Sequence, residues 1–222
     1  MLVVNPAYDT VTEAWFDPDY WGEGARLVST GGRGSAWFVD TDYGELVLRH
    51  YRRGGLMARF SERSYLFTGS SATRSWREFQ LLRLLYDLGL PVPEPVAAWW
   101  RKQGGLSYRA AILIRRIDGA VPLPEVSDLA NDRLWRQVGT MIHRFHTAGL
   151  DHVDLNCDNI LVAGNQTYLI DFDRCELRSP RRNPSAWQKR NLDRLSRSME
   201  KRIPARIQER CRSMLLAGYQ QA

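Results

Sequence analysis

Two short stretches decide the fold: HVDLNCDN at residues 152–159 and, twelve residues beyond the last of these, DFD at residues 171–173. The first stretch follows a helical pattern and precedes an apolar strand, and the second follows the next strand along the chain. A loop before one strand and a residue just after the next lie at the same end of a hairpin, so we expect their side chains to converge. In such a cluster one carboxylate can accept a hydroxyl proton, while a second carboxylate and an amide hold a metal ion that bridges phosphates.

Together these stretches resemble the catalytic loop and the magnesium-binding triplet of the protein-kinase superfamily. The resemblance implies a kinase that uses ATP and Mg2+, with Asp154 as the catalytic base and Asn159 and Asp171 as the metal ligands. Asp154 and Asn159 alone would also suit an Asx-rich turn between a helix and a strand. Because both stretches occur in order and in the expected setting, the catalytic interpretation is favoured.

Beside these groups, one residue is predicted to have a structural role, and two differ from the protein-kinase pattern. His152 is predicted to support the triplet structurally, and not to act as a base. Val153 stands where many protein kinases have arginine, so we do not expect regulation by a phosphorylated activation loop. Asp173 stands where glycine is usual, which suggests a more fixed loop or a second acidic role.

Composition indicates a globular protein with an anionic partner. The 222 residues are 44% hydrophobic and 11% aromatic, and 31 basic residues against 25 acidic ones give a net charge of +6. Such an excess favours phosphate, anionic lipid or nucleic acid without choosing among them. The three cysteines are too few and too irregularly spaced for a disulfide framework or a zinc site, which favours a reducing compartment. No stretch reaches the roughly 18 to 20 apolar residues that span a bilayer, so any membrane association is expected to be peripheral.

The order of the predicted elements indicates an α+β fold. The first third has apolar runs broken by Gly, Asp and Tyr-Gly, which are typical of an antiparallel meander. Apolar residues at helical spacing predict helices over 73–88 and 129–148 and a last helical region over 185–218. Two strands, over 91–100 and 108–117, lie between the first two helices.

A turn-rich segment at residues 117–124 divides the chain in this interpretation. We therefore predict a bilobal, protein-kinase-like fold with a cleft between the lobes. Residues 1–118 would form an N-lobe built on an antiparallel sheet, and residues 119–222 a mainly helical C-lobe.

The predicted N-lobe offers residues suited to a nucleotide. Gly31, Gly32 and Gly34 precede an apolar strand and could bring backbone N–H groups close to phosphates, although a hairpin turn would use the same residues. Val47 and Arg49 share one face of the next strand, as the adenine-contacting and phosphate-pairing residues of a kinase do. Arg49 stands where lysine is usual, which leaves the geometry of its phosphate contact open.

Glu78, on the first predicted helix, is the expected ion-pair partner of Arg49. The alternative is a capping box in which Glu78 pairs with Ser75 at the start of the helix. The ion pair is favoured, because a glycine-rich turn, a cationic strand and a downstream acidic triplet all require it.

Longer segments resemble the Kdo (3-deoxy-D-manno-octulosonic acid) kinases, a family of lipopolysaccharide-core kinases. They are LRHYRRGGL (48–56), TRSWREFQLL (73–82), GLPVPEPVAAW (89–99), HVDLNCDNILV (152–162), TYLIDFDR (167–174) and WQKRNLDRLSRSMEK (187–201). The resemblance implies ATP-dependent phosphorylation of the 4-hydroxyl of Kdo on a lipid A precursor. It also implies a peripheral protein at the cytoplasmic face of the bacterial inner membrane.

Arginines near the expected site suit the anionic acceptor, since guanidinium groups bind carboxylates and phosphates well. The candidates for substrate binding are Arg52 and Arg53 after the nucleotide strand, and Arg174, Arg178, Arg181 and Arg182 after the triplet. A solvated surface is the alternative for such a run. The apolar face of the last helical region suits packing onto the C-lobe. Its basic residues suit contact with anionic lipid, namely Lys189, Arg190, Arg194, Arg197, Lys201 and Arg202.

Three other functions remain open on the sequence. The first is another small-molecule kinase of the same fold, such as a heptose kinase or an antibiotic phosphotransferase. The second is a catalytically dead kinase-like binding module, suggested by Arg49 and Asp173. A nucleic-acid-binding protein is the weakest, because no stacking motif or groove-reading module is visible, and no nucleic-acid partner is expected.

Overall fold

The structure is a computed structural model that describes residues 1–28, 36–51, 73–103, 107–178 and 186–222, with the backbone alone at 65–66. The chain divides into two compact units. The first unit comprises Met1–Leu84 and Pro93–Arg116, and the second comprises Leu85–Val92 and Ile117–Ala222.

An antiparallel sheet forms the first unit. Its strands are β1 (Leu2–Val4), β2 (Ala25–Leu27), β3 (Ala36–Thr41), β4 (Gly44–His50), β5 (Tyr65–Leu66), β6 (Pro95–Lys102) and β7 (Ser107–Arg115). In the described residues the order is β1-β6-β7-β4-β3-β2, and β5 also pairs with β7. The sheet predicted for the N-terminal part of the chain is therefore present.

The two faces of strand β4 differ in burial. Leu46 and Leu48 are fully buried and contribute to a core that includes Tyr8 and Phe16 from the N-terminal segment. Side chains alternate between the two faces of a strand, so Val47 and Arg49 lie together on the opposite face. The N-terminal segment was not predicted to contain regular structure, but it forms β1 and two 3-10 helices, Glu13–Phe16 and Pro18–Gly24.

Helix α1 (Arg74–Asp87) matches the helix predicted over 73–88 closely. Phe79, Leu82 and Leu85 are buried as its apolar spacing predicts, whereas Leu84 and Leu88 are 45% and 57% exposed and do not belong to the core. Gly89 ends the helix with a φ of 68°, a left-handed conformation that glycine adopts without strain.

Three further helices dominate the second unit: α2 (Asp132–Thr147), α3 (Ala186–Arg202) and α4 (Ala205–Gln221). The predicted apolar face of α2 is confirmed, with Leu134, Val138, Met141, Ile142 and Phe145 all buried. The single helical region predicted over 185–218 is in fact two helices, because Pro204 forms the N-cap of α4 and has no N–H to continue α3.

Helices α2 and α4 pack with their backbones in close approach. A Cβ on Gly139 would lie 2.0 Å from the carbonyl oxygen of Leu215, and one on Gly218 would lie 2.1 Å from that of Arg136. Real Cβ atoms do not come so close to a backbone oxygen. Glycine at both positions therefore sets the distance between the two helices.

The second unit also contains short antiparallel strands: β8 (Val121–Pro122), β9 (Leu150–Asp151), β10 (Ile160–Ala163), β11 (Gln166–Leu169) and β12 (Glu176–Leu177). Strands β10 and β11 form a hairpin in which Ile160 pairs with Leu169. Strand β9 pairs with β12. The loop between β9 and β10 holds HVDLNCDN, and the residues after β11 hold the acidic triplet.

Candidate active site

The loop after β9 is held by the amides of two asparagines. The Oδ1 atom of Asn156 accepts hydrogen bonds from the backbone N–H groups of Asp158 (2.9 Å) and Asn159 (3.0 Å), which caps a 3-10 turn. The Nδ2 groups of Asn156 and Asn159 both donate to the backbone carbonyl of Asp154, at 3.0 and 2.9 Å. The backbone of Asp154 is therefore fixed relative to Asn159.

The hairpin places Asn159 and Asp171 at its same end. The N–H of Ile170 donates to the backbone carbonyl of Asn159 at 3.0 Å, and Asp171 is the next residue. Asp171 has a φ of 65°, an uncommon conformation for a non-glycine residue that is often found at functional sites. Phe172 is 2% exposed and anchors the chain directly after it.

Asn159 and Asp171 offer the ligand types that magnesium prefers. Magnesium is usually held by one or two protein side chains and completes its shell with water and substrate phosphates. Because the Nδ2 group of Asn159 is bonded to Asp154, its Oδ1 atom is the one that can face a cation. Within the described residues no cluster of three His, Cys, Asp or Glu side chains could hold a metal. An amide oxygen and one carboxylate fit a cation that takes its other ligands from water and phosphates.

His152 lies beneath the triplet, as predicted. Its side chain is buried, and Nε2 donates to the carbonyl of Ile170 at 3.1 Å, since a carbonyl can only accept. The ring meets Phe172 edge-on, with centroids 5.5 Å apart. Burial lowers the pKa of His152, which favours the neutral ring. These contacts suit a structural residue better than a base.

The side chain of Asp154 is half exposed and forms an ion pair with α3. Nη1 of Arg194 lies 3.1 Å from Oδ1 of Asp154. Farther along the same helix, Nη2 of Arg202 lies 2.7 Å from Oδ1 of Asp158. Both arginines were predicted to suit contact with lipid, and the structure shows that they pair with the loop after β9.

Asp151, at the start of the loop, gathers three side chains. It is buried, and its carboxylate accepts from Nε of Arg178 at 2.6 Å and from Nδ2 of Asn191 at 2.9 Å. Arg190 lies 3.5 Å away. Arg178, a predicted substrate ligand, is therefore bonded to Asp151 through one of its nitrogens. Arg174, the other described candidate, is exposed and has a φ of 62°.

In the first unit, Arg49 pairs with Glu78, which confirms the predicted ion pair. Nη2 of Arg49 donates to both carboxylate oxygens of Glu78, and the hydroxyl of Tyr51 donates to one of them. The capping-box alternative is wrong, because α1 begins at Arg74 and Glu78 lies beyond its first turn. Ser75 instead donates to the carbonyl of Trp99 at 3.0 Å. Burial raises the pKa of Tyr51 well above its usual value, with the charge of Glu78 adding to the effect.

Some predicted site residues lie outside the described residues, namely Gly31, Gly32, Gly34, Arg52, Arg53, Arg181 and Arg182. Val47 is described and half buried on the same face as Arg49.

Comparison with known proteins gives the family. The model of the lipopolysaccharide kinase (Kdo/WaaP) family matches residues 18–219. The chain belongs to this family. It is therefore a kinase, a phosphotransferase, as predicted.

Two curated relatives of this kinase have the same name. A 3-deoxy-D-manno-octulosonic acid kinase of Stenotrophomonas maltophilia (strain K279a) is 52% identical over 188 residues, which are 84% of this chain and 74% of that protein. The kinase of the same name from Xanthomonas campestris pv. campestris (strain B100) is 50% identical over the same shares. These relatives cover the catalytic loop and the triplet together.

Solved structures show the fold of this kinase. One is WaaP in complex with acyl carrier protein, with a TM-score of 0.60 and 16% identity over 100% of this chain and 89% of that one. The other is the Rio2 kinase of Chaetomium thermophilum in an ADP/Mg2+-phosphoaspartate complex, with a TM-score of 0.56 and 21% identity over 99% and 72%. They confirm the α+β, protein-kinase-like fold class.

The ion pairs that α3 makes could not be predicted from the sequence. Arg194 and Asp154 are 40 positions apart, and nothing in the spacing of basic residues on a helix indicates which loop they contact. One clue in the sequence is that the segment 187–201 and the loop both resemble the Kdo kinases. No described helix of this kinase is both long and apolar enough to cross a membrane.

Proposed function

We propose that the protein transfers the γ-phosphoryl group of ATP to the 4-hydroxyl of Kdo on a lipid A precursor. Two relatives about half identical to it are named for that sugar acid. The observation that carries the proposal is the joint fixing of Asp154, Asn159 and Asp171 around one end of the β10–β11 hairpin. A base and two oxygen ligands in that order are what phosphoryl transfer from ATP requires.

In this proposal Asp154 accepts the proton of the sugar hydroxyl as its oxygen attacks the γ-phosphorus in line and ADP leaves. Asn159 and Asp171 would hold Mg2+, which would neutralise phosphate charge when bound. The amides of Asn156 and Asn159 keep the base in place through the carbonyl of Asp154. Positioning and charge supply most of the acceleration in such reactions.

Arg49 is proposed to pair with the nucleotide phosphates, oriented by Glu78 and Tyr51. Lysine is usual at this position, whereas arginine offers a planar fork of donors. Nη2 of Arg49 is bound to Glu78, which orients the guanidinium, and a guanidinium suits a phosphate because its N–H donors lie in one plane. The pair thus carries out in the first unit what the lysine–glutamate pair of protein kinases carries out.

We also propose that the protein works at the cytoplasmic face of the inner membrane as a peripheral protein. Its substrate would be anchored there by lipid chains, and its net charge of +6 suits an anionic surface. Arg206, an exposed basic residue at the start of α4, lies in a region that suits such contact.

Mass spectrometry of Kdo-lipid A precursor incubated with the protein, ATP and magnesium tests the proposal. We expect the mass of one phosphate to be added, located on the sugar acid. Asp154→Ala should lose this activity while still binding ATP, and Asp128→Asn, a change at an exposed acidic residue, should retain it. Turnover by Asp154→Ala would remove Asp154 from its role. Phosphate on a heptose acceptor alone would assign a different sugar.

A further inference from the structure

A cavity lies against the catalytic loop in the second unit. It has a volume of about 340 Å³ and is lined by Asp151, Val153, Arg178, Arg190, Arg194 and Arg197, among other residues. We call it the arginine pocket. Val153 directly precedes the proposed base, and Arg194 lies 3.1 Å from the carboxylate of that base. The pocket and Asp154 are therefore immediate neighbours.

The pocket carries an excess of positive charge. Its buried carboxylate, Asp151, is shared between Arg178 and Arg190, at 2.6 and 3.5 Å. Arg194 forms an ion pair with Asp154. Arg197 has no ion-pair partner among the described residues. Asp193 also lines the pocket, but it is paired at 2.7 Å with Lys189, which lies outside it. An anion entering the pocket would thus meet a free guanidinium beside arginines that are already held in place.

We infer that the arginine pocket binds the carboxylate of the acceptor sugar, with Arg197 as its principal ligand. This inference rests on the proposed function. A planar guanidinium matches a carboxylate with two parallel hydrogen bonds. In a sugar acid the carboxylate and the accepting hydroxyl belong to one ring. A carboxylate held in a pocket that adjoins Asp154 would therefore keep the hydroxyl within reach of that base.

Proximity favours the carboxylate over the phosphates of the lipid carrier. Those phosphates lie on other sugars of the acceptor. The pocket adjoins the proposed base, because Arg194 contacts Asp154 and Val153 directly precedes it. Val153 is 38% exposed and gives the pocket an uncharged wall on the side of the catalytic loop. Arg178 and Arg190 are held by their ion pairs with Asp151, so these arginines are preorganised for a small anion.

Steady-state kinetics of Arg197→Gln with Kdo-lipid A precursor test this assignment. The variant should raise the KM for the acceptor on the order of tenfold, the effect of losing one charge-assisted hydrogen bond. The KM for ATP should stay unchanged. Lys201→Gln is the matched control, because it removes one exposed charge from the same helix outside the pocket. An Arg197→Gln enzyme that behaves like this control would overturn the assignment.

The identity of the anion is decided by altering the acceptor. When the carboxylate of the acceptor is converted to an amide, the KM of the wild type for the acceptor should rise to that of Arg197→Gln. The KM of Arg197→Gln should rise no further. If the difference between the two proteins instead persisted with the amide and disappeared with a dephosphorylated lipid carrier, the pocket would serve phosphate and the assignment would be wrong.

The proposed function can fail separately. If the wild type adds no phosphate to the acceptor, calorimetric titration with the free sugar acid still tests whether the arginine pocket binds its carboxylate. Binding by the wild type and by Lys201→Gln, with loss in Arg197→Gln, would uphold the assignment. Equal binding by all three proteins, or none, would refute it.

Discussion

Among single residues, Asp154 is held from two sides. Two asparagine amides fix its backbone carbonyl, and Arg194 approaches its carboxylate from α3. A base that works by position gains from such support, because small displacements of a catalytic group slow a reaction strongly. Arg194 contacts the proposed base and lines the arginine pocket, so we expect it to act on the reaction through Asp154.

Replacing Arg194 should therefore affect turnover more than nucleotide binding. We expect Arg194→Gln to lower kcat by about tenfold, a typical scale for losing one contact that orients a catalytic group. The KM for ATP should change little. Arg194→Lys should recover part of the loss, because lysine keeps the charge but not the planar fork. Equal kcat in the wild type and Arg194→Gln would show that the ion pair does not position the base.

At the scale of elements, α2 and α4 enclose a histidine in their contact. His146 is 3% exposed, its Nδ1 lies 2.7 Å from the hydroxyl of Tyr219, and its ring meets Trp187 edge-on. Desolvation by burial is the main reason that its pKa falls to about 4, and the nearby His143 adds to the effect. Hydrogen bonding to Asn191 and the charge of Asp151 oppose it.

The stability of the fold should consequently decrease in acid. Below a pH of about 6.5 the unfolded chain protonates His146, whereas the folded protein does not until about pH 4. The free energy of unfolding should fall over this window by on the order of 3 kcal/mol from this residue. Denaturant unfolding of His146→Gln should show a shallower loss between pH 7 and 5 than the wild type. His152, whose pKa is also lowered, would account for a remaining slope. The same pH dependence in both proteins would contradict this account.

At the scale of the whole molecule, features that the kinase pattern fixes were predictable, whereas long-range pairing outside that pattern was not. The roles of the loop and the triplet could be predicted because phosphoryl transfer requires particular residue types at a particular spacing. The apolar face of α2 was readable from its period, and the Arg49–Glu78 pair followed from the kinase pattern. The contact of Arg194 with Asp154 was not readable, since only tertiary packing decides which loop a basic helix meets. Likewise β1 is three residues long and depends on its pairing with β6, so its own sequence gives little signal.

Nucleotide binding should stabilise the whole protein in a magnesium-dependent way. A ligand that binds only the folded state at 100 times its Kd adds about 2.7 kcal/mol to the free energy of unfolding. We therefore expect ATP with magnesium to raise Tm more than ATP with EDTA. Asp171→Asn should lose the part that depends on magnesium. Asp173→Asn is the matched control within the triplet and should keep it, because Asp171 is the residue that follows the hydrogen bond from Ile170 to Asn159. If Asp173→Asn lost the magnesium effect and Asp171→Asn kept it, the metal would belong to the second acid of the triplet, and the proposed ligand set would have to change.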